Sequence, residues 1–248
     1  MKDAVTATGA SVDLPSEPGP ASLSLMWLSL GAGCTDVLSF LKLGDVFTSA
    51  MTGNTALLAI AIGRGTFPAA SRSLCALVAF ALGVALATLV YAPWGTGQNG
   101  RRAFRRLLLV ELLFLSGCAA LWSAGPDPLT TGALYLVIGL SALSMGIQAV
   151  GARTVGGSAG ITTVVFTTAL IRIVMAATAA LVRPAAAVAS PMGVGAHLGT
   201  FGAYVGGAAL AAILVSHYFG ALIWIPVAAV VLALASSELA DRAGRSTR

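Results

Sequence analysis

The chain has 248 residues, of which 57% are hydrophobic and only 9% are charged, whereas about a quarter of the residues of an ordinary globular domain carry a charge. So few charges cannot cover a soluble domain of this length, because charged side chains lie mainly at protein exteriors. The net charge is +5, but the basic residues flank apolar stretches, as they do in membrane proteins. Composition therefore predicts a protein embedded in a bilayer and excludes the secreted, nucleic-acid-binding and ordinary cytosolic classes.

The polar segment 1–21 contains several prolines and lacks the apolar core of a signal peptide, so it predicts a disordered cytoplasmic tail. Beyond it, eight apolar stretches are each long enough for a spanning helix, which needs about 17–25 residues. Backbone groups in lipid must be hydrogen-bonded within their own segment, which requires helices. The sequence thus predicts an all-α, polytopic integral membrane helical bundle of six to eight transmembrane segments, with a basic cytoplasmic tail at 241–248. The stretches are 22–43, 46–63, 73–94, 107–124, 129–152, 161–182, 196–218 and 220–237.

The arginines decide between the possible numbers of crossings. If the cluster 101–106 is cytoplasmic and all eight stretches cross, both termini lie outside and the C-terminal arginines are misplaced. If 46–63 and 161–182 instead enter and turn back or form broken helices, six crossings remain. Both termini are then cytoplasmic, together with the C-terminal arginines. We favour this second arrangement.

The two halves of the chain, 22–124 and 129–240, resemble each other. A shift of 115 positions aligns Ser29 with Ser144, Gly31 with Gly146, Thr48 with Thr163 and Thr52 with Thr167. A slightly larger shift aligns Gly83 with Gly207, among several alanines. These matches predict an internal two-fold repeat. Three crossings per half make the repeats inverted, as in many secondary transporters, and four make them parallel.

Asp36 lies well inside the first apolar stretch, where insertion scales put the cost of a carboxylate at about 2.5–3.5 kcal/mol. Such a residue faces a proton, cation or substrate site, or it is a structural acid paired with a basic residue. On a single helix Thr48, Thr52 and Thr55 share one face, with Asn54 close by. This polar group suits either a broken helix that lines a binding site or a helix contact formed by small and hydroxyl residues.

In the second half, the corresponding zone holds Gln148, Thr163, Thr167 and Arg172. Arg172 lies midway along an apolar run, and because a guanidinium stays charged it needs an anionic partner, water or an anionic ligand. We therefore hypothesise that Asp36 and Arg172 face each other near the interface of the two halves.

Glu111 lies about one and a half turns from Arg106, so we expect it to snorkel toward the membrane interface. His197 and His217 lie at opposite ends of one stretch and are expected at the two interfaces. The three cysteines have neither disulfide nor metal-ligand spacing. No catalytic, metal or cofactor motif is present, so we expect no enzyme, no cofactor and no metal.

Two segments carry a resemblance to a known family. A glycine-rich first helix with Asp36, followed by FTSAMTGNTALL (47–58), resembles the YoaK family of bacterial inner-membrane proteins, a domain of unknown function. MGIQAVGARTVGG (145–157) and ITTVVFTTALIRI (161–173) are similar to the second half of that family, although Thr167–Thr168 stands where the family tends to have a second TG. The resemblance implies a multi-pass protein of the bacterial plasma membrane and no established activity.

The polar cluster at the membrane midplane predicts a small-solute transporter or permease. Secondary transport is favoured over primary transport because no nucleotide-binding element is present. Asp36 would serve as the coupling or charge-balancing acid, the threonines and Asn54 would bind solute, and Arg172 would provide positive charge. The expected partners are the lipid bilayer and an unknown small solute, and nucleic acid is not expected. The sequence is compatible with a homo-oligomer. A structural or partner-binding membrane protein, with its polar cluster dry and internally satisfied, is the main alternative. A membrane-embedded enzyme is the third.

Overall fold

A computed structural model of the protein describes residues 20–91, 98–126, 128–156, 170–171, 173–174, 178 and 194–246. Within these residues, all regular secondary structure is helical. The longer helices are α1 (Pro20–Lys42), α2 (Met51–Gly63), α3 (Phe67–Tyr91), α4 (Gln98–Ala124), α5 (Thr131–Gly156), α6 (Val194–Leu222) and α7 (Ile225–Ser246). Of these described helices, α1, α3, α4, α5 and α6 are long and apolar enough to cross a membrane. The predicted polytopic all-α bundle is confirmed.

Some sequence predictions fall outside the described part of the chain. Residues 1–19, which make up most of the expected N-terminal tail, belong to this group, as does most of the stretch 161–182. At the C-terminus, α7 continues to Ser246, so most of the expected basic tail 241–248 is an extension of the last helix.

Two contacts define one end of the bundle, which we call the Arg105 end. Ser24 in α1 donates a hydrogen bond from Oγ to the Ala233 carbonyl of α7 at 3.0 Å. Arg105 in α4 forms an ion pair with Glu238 of α7 at 2.7 Å. The start of α1, the start of α4 and the end of α7 therefore lie together. Both ends of the described chain therefore lie at the Arg105 end of the bundle.

The other end of the bundle, the Lys42 end, joins α1 to α3. The Arg72 Nε atom near the start of α3 donates to the Gly44 carbonyl just after α1, at 3.0 Å. Helix α1 therefore leads to this end and α3 leads back from it, so α2 does not add a crossing. Its 13 residues measure about 20 Å, which is less than the roughly 30 Å of hydrocarbon that a spanning helix must traverse. The segment 43–63 is thus re-entrant.

Two pairs of helices approach so closely that only glycine fits at their crossing points. A Cβ atom added at Gly33 would overlap the Tyr204 carbonyl oxygen, and one added at Gly207 would overlap the carbonyl oxygen of Leu30. This brings the backbones of α1 and α6 into direct contact, a geometry that small residues permit between membrane helices. Since Met26 contacts Gly199 on the same pair of helices, residue numbers rise together along the contact. Helices α1 and α6 are therefore parallel.

Helices α3 and α5 repeat this arrangement. A Cβ atom at Gly83 would overlap the Leu143 carbonyl oxygen, and one at Gly146 would overlap that of Phe80. About two turns earlier on both helices, Cys75 Sγ contacts the carbonyl oxygen of Tyr135 at 3.8 Å, so α3 and α5 are also parallel. The main packing is between the halves of the chain: α1 packs against α6 and α7, and α5 packs against α3 and α4.

The glycine contacts predict a difference between two substitutions in the same helix. Gly146→Ala forces a Cβ atom into the Phe80 carbonyl oxygen, and such overpacking costs about 1–3 kcal/mol. Gly139→Ala meets nothing within 4 Å and improves helix propensity by roughly 0.5–1 kcal/mol. Thermal unfolding of the purified protein in detergent should therefore show a lower midpoint for Gly146→Ala and an equal or higher one for Gly139→Ala. Equal midpoints for both variants would contradict the described helix contact.

Candidate functional site

Helix α1 ends in a tight turn that sends the chain back along the helix. Gly44 and Asp45 have φ angles of 81° and 59°, and the Asp45 N–H donates to the Phe40 carbonyl at 3.1 Å. This is the hydrogen bond of a Schellman C-cap, for which glycine is favoured because it adopts positive φ without strain. The turn is also stabilised by Phe47, whose ring stacks on Phe40 with centroids 4.9 Å apart.

Asp36 binds the returning chain inside the bundle, about 9 Å before the end of α1. Its Oδ1 atom accepts the N–H groups of Thr48 at 2.9 Å and Ser49 at 2.7 Å. The Oδ2 atom accepts the Ser49 hydroxyl at 2.6 Å and the Tyr204 hydroxyl of α6 at 2.8 Å. The carboxylate is only 1% exposed, and all four of these partners are donors. Asp36 therefore acts as the acceptor that fixes non-helical backbone inside the bundle.

Asn54, in the first turn of α2, holds the same loop from the other side. Its Oδ1 atom accepts the Phe47 N–H at 2.9 Å, and its Nδ2 atom donates to the Phe47 carbonyl at 2.6 Å. The side-chain amide thus satisfies both backbone polar groups of one residue, which an irregular segment at membrane depth needs. Asp36 and Asn54, 18 positions apart in the sequence, together determine the path of residues 43–50.

The structure corrects the prediction of a threonine face. Thr48 lies before α2, because its N–H group is bound to Asp36 and the helix begins only at Met51. It therefore shares no helical face with Thr52 and Thr55. Thr48 is buried, and its hydroxyl has no hydrogen-bond partner among the described residues. Thr52 and Thr55 are exposed on α2, where the Thr55 hydroxyl donates to the Met51 carbonyl at 2.9 Å.

A second buried acid lies between α4 and α5. Glu111 is fully buried, and its Oε1 atom accepts the Gln148 Nε2 amide at 2.8 Å. Its other oxygen, Oε2, has no hydrogen-bond partner among the described residues. The expectation that Glu111 snorkels to the interface is wrong, because packing of α4 on α5 encloses the side chain. Gln148 lies in this second polar pair and makes no hydrogen bond to the Asp36 group in the described part of the chain.

The two histidines lie in different environments, and neither belongs to a metal-binding group of three or more side chains among the described residues. His197 is 2% exposed and lies in the first turn of α6, where this helix packs onto the Met26 region of α1. Its expected interfacial position stays a prediction. His217 is exposed and its Nδ1 atom lies 2.7 Å from the Ser216 hydroxyl. Among the described residues no group of three or more His, Cys, Asp or Glu side chains could hold a metal ion.

Three predicted site residues, Thr163, Thr167 and Arg172, lie outside the described residues. The proposed pairing of Asp36 with Arg172 therefore stays a prediction. Within the described residues the Asp36 carboxylate already accepts four hydrogen bonds.

Sequence reasoning missed Tyr204 and assigned no role to Ser49. A signal for Tyr204 exists, because Tyr and Trp in membrane helices usually lie near the interfaces. Tyr204 lies well inside α6, where a buried phenol needs a hydrogen-bond partner. A tyrosine hydroxyl and an aspartate carboxylate that both lie inside membrane helices are therefore candidates for a hydrogen bond with each other.

A cavity of about 250 Å³ opens at the Lys42 end, where α1, α3, α6 and the α4–α5 connection meet. Its walls include two basic side chains, Lys42 and Arg72, and two aromatic ones, Trp122 and Phe219. The Lys42 Nζ atom lies 5.2 Å from the centroid of the Phe219 ring, a cation–π distance. Because Leu43 and Gly44 also line this cavity, it adjoins the start of the re-entrant segment.

Taken together, the apolar helices and the re-entrant segment define a multi-pass helical membrane protein. The chain matches the profile of the family described as "Protein of unknown function (DUF1275)" over residues 24–236. It belongs to that family, which confirms the resemblance in the sequence. The chain is also similar to the UPF0700 transmembrane protein YoaK of Bacillus subtilis (strain 168), with 37% identity over 147 residues. This alignment covers 58% of the chain and 61% of that relative. No solved structure matches the chain.

The hydrogen bonds of Asp36 predict how the loop responds to its removal. Asp36→Asn replaces one acceptor oxygen by an amide donor that faces donors, and an unmade buried hydrogen bond costs about 1–3 kcal/mol. We expect faster hydrogen–deuterium exchange at the amides of residues 47–49 in the detergent-purified variant. Glu111→Gln, a matched substitution of the other buried acid, should leave these amides protected. Unchanged exchange in Asp36→Asn would contradict the role of Asp36 as the loop acceptor.

Proposed function

We propose that the protein is a small-solute secondary transporter or permease of the bacterial plasma membrane. The observation that carries this proposal is the re-entrant segment 43–63, which brings non-helical backbone to the depth of Asp36. Irregular backbone at membrane depth is tolerated where it is buried in protein or lines a water-filled cavity. Discontinuous helices of this kind form the solute sites of many transporters.

The packing of the long helices supports an inverted repeat. In each close pair, the glycine of one helix faces the carbonyl group three residues before the glycine of the other helix. In the α1–α6 pair, Gly33 faces the Tyr204 carbonyl and Gly207 faces that of Leu30. In the α3–α5 pair, Gly83 faces the Leu143 carbonyl and Gly146 faces that of Phe80. This equivalence matches α1 with α5 and α3 with α6. In this structural alignment of the two halves, Gly146 corresponds to Gly33, whereas the sequence comparison aligned it with Gly31. Because α5 is parallel to α3, it is antiparallel to α1, and the two halves have opposite orientations.

The roles of the polar residues follow from their contacts. Asp36 has its four acceptor positions occupied by donors, so we assign it to holding the re-entrant segment rather than to exchange of a proton or cation. Thr52 and Thr55 are exposed on α2 directly after this segment, and their hydroxyls are the proposed solute contacts. Arg172, Thr163 and Thr167 complete the proposed site from the other half. We propose no catalytic role for any of them.

Glu111 is the acid that we propose for coupling to protons. One of its oxygens is unpaired among the described residues, and the other accepts only the Gln148 amide. A carboxylate with a single donor in an apolar interior is costly, whereas the protonated carboxyl is not, so this residue can bind and release a proton without breaking the fold. Arg105 on the same helix is paired with Glu238, and the nearest polar side chain on α5 is Gln148. Intramembrane acids of this kind form proton relays in transporters.

The transport proposal is tested by reconstituting the purified protein in proteoliposomes. Solutes that raise its thermal unfolding midpoint in a library of small metabolites are assayed for uptake. We expect at least one such solute to enter protein-containing liposomes faster than empty ones. Thr52→Val and Thr55→Val, which conserve volume and remove a hydroxyl, should each weaken uptake, whereas Thr66→Val in the α2–α3 turn should not. A protein that binds no solute and transports none would favour the structural alternative.

Coupling through Glu111 predicts a selective loss of function. Glu111→Gln keeps the shape of the side chain but cannot exchange a proton. We expect the variant to exchange labelled for unlabelled solute across the membrane but to lose accumulation driven by a pH gradient. Accumulation equal to that of the unsubstituted protein would remove Glu111 from coupling, and loss of both activities would assign it a structural role.

A further inference from the structure

We propose that the cavity at the Lys42 end is a binding site for a small carboxylate that carries an apolar group about the size of a benzene ring. The cavity is distinct from the polar group around Asp36 and from the Glu111–Gln148 pair. The proposal rests on the cavity alone and does not require that the protein transports anything.

The charge of the cavity determines the sign of the ligand. Lys42 and Arg72 both line it, and none of the described lining residues is acidic. Each cation is held in place by a contact that leaves donors available. Lys42 lies over the Phe219 ring, so its three N–H donors remain, and Arg72 uses Nε for the Gly44 carbonyl, so its terminal amino groups remain. Arginine matches a carboxylate or phosphate particularly well, because its planar donors bind two oxygens at once.

The shape and the remaining walls of the cavity determine the body of the ligand. The volume of about 250 Å³ exceeds the roughly 150 Å³ of an engineered apolar cavity that binds benzene. The other lining side chains include the aromatic Trp122 and Phe219 and the aliphatic Leu129 and Leu134. A concave site with aromatic and aliphatic walls and a few fixed polar groups is typical of sites for small organic molecules. A ring or branched alkyl group fills such a space, while the carboxylate lies between Lys42 and Arg72.

A phospholipid headgroup presents a phosphate, so it shares part of this chemistry. It does not present an apolar group beside the anion that enters the aromatic part of the cavity. The two sources are therefore separated by soluble probes: benzoate for the organic carboxylate, and glycerol 3-phosphate for the headgroup. Benzamide, which has the same ring and no charge, serves as the control ligand.

The experiment is isothermal titration calorimetry of the delipidated protein in detergent at low salt. We expect saturable binding of benzoate, weakening as salt is added because the charges lie near solvent, and no measurable binding of benzamide or glycerol 3-phosphate. Lys42→Gln and Arg72→Gln should each weaken benzoate binding by about tenfold or more, the loss of one charge-assisted hydrogen bond. Lys42→Arg, which retains the cation, should restore binding.

Arg64→Gln is the matched control, because Arg64 is an exposed arginine in the α2–α3 turn and lies outside the cavity lining. This variant removes the same charge and should bind benzoate as the unsubstituted protein does. Equal weakening by Arg64→Gln would show that only diffuse surface charge attracts the anion, and would overturn the proposal. Binding of glycerol 3-phosphate without benzoate would also overturn it in favour of a headgroup site. The unliganded variants are first compared by thermal unfolding, and Lys42→Arg decides the outcome if a glutamine variant does not fold.

Discussion

One carboxylate determines the internal geometry of the protein. Asp36 accepts two backbone N–H groups and two hydroxyls within the bundle. Without this acceptor, the N–H groups of Thr48 and Ser49 would be unpaired in an apolar interior, and each unpaired group costs several kcal/mol in a membrane. The acid is therefore where the sequence allows the chain to leave the helical conformation at membrane depth.

The path of the other helices follows from this arrangement. Because the loop turns back at the Lys42 end, α3 runs antiparallel to α1 toward the Arg105 end, where α4 starts. The glycine contacts then join α1 to α6 and α3 to α5 with their backbones touching. Close backbone contact between membrane helices depends on van der Waals packing. The bundle is thus stabilised by van der Waals packing where the helices cross at glycines, and by hydrogen bonds at its re-entrant segment.

The sequence was sufficient for the helical membrane class and for singling out Asp36, because these depend on local composition and on the cost of burying charge. For 46–63 it only favoured the non-crossing arrangement, through the placement of the arginines. It was not sufficient for the partners of Asp36. Tyr204 comes from a helix far along the chain, and the backbone N–H groups of Thr48 and Ser49 carry no side-chain signature. Glu111 was misplaced for a related reason: proximity to Arg106 in sequence does not reveal that Gln148 on another helix encloses it.

The hydrogen-bond partners of Asp36 are synthesised at different times. Two of its partner residues follow it by 12 and 13 positions, but Tyr204 follows by 168. At a translation rate of about 5–20 residues per second, the tyrosine is made roughly 10 to 30 s after the aspartate. During this interval the nascent first hairpin already contains its own donors for the buried charge, the N–H groups of Thr48 and Ser49. The tyrosine then closes the contact and ties the completed second half to a loop that has already folded.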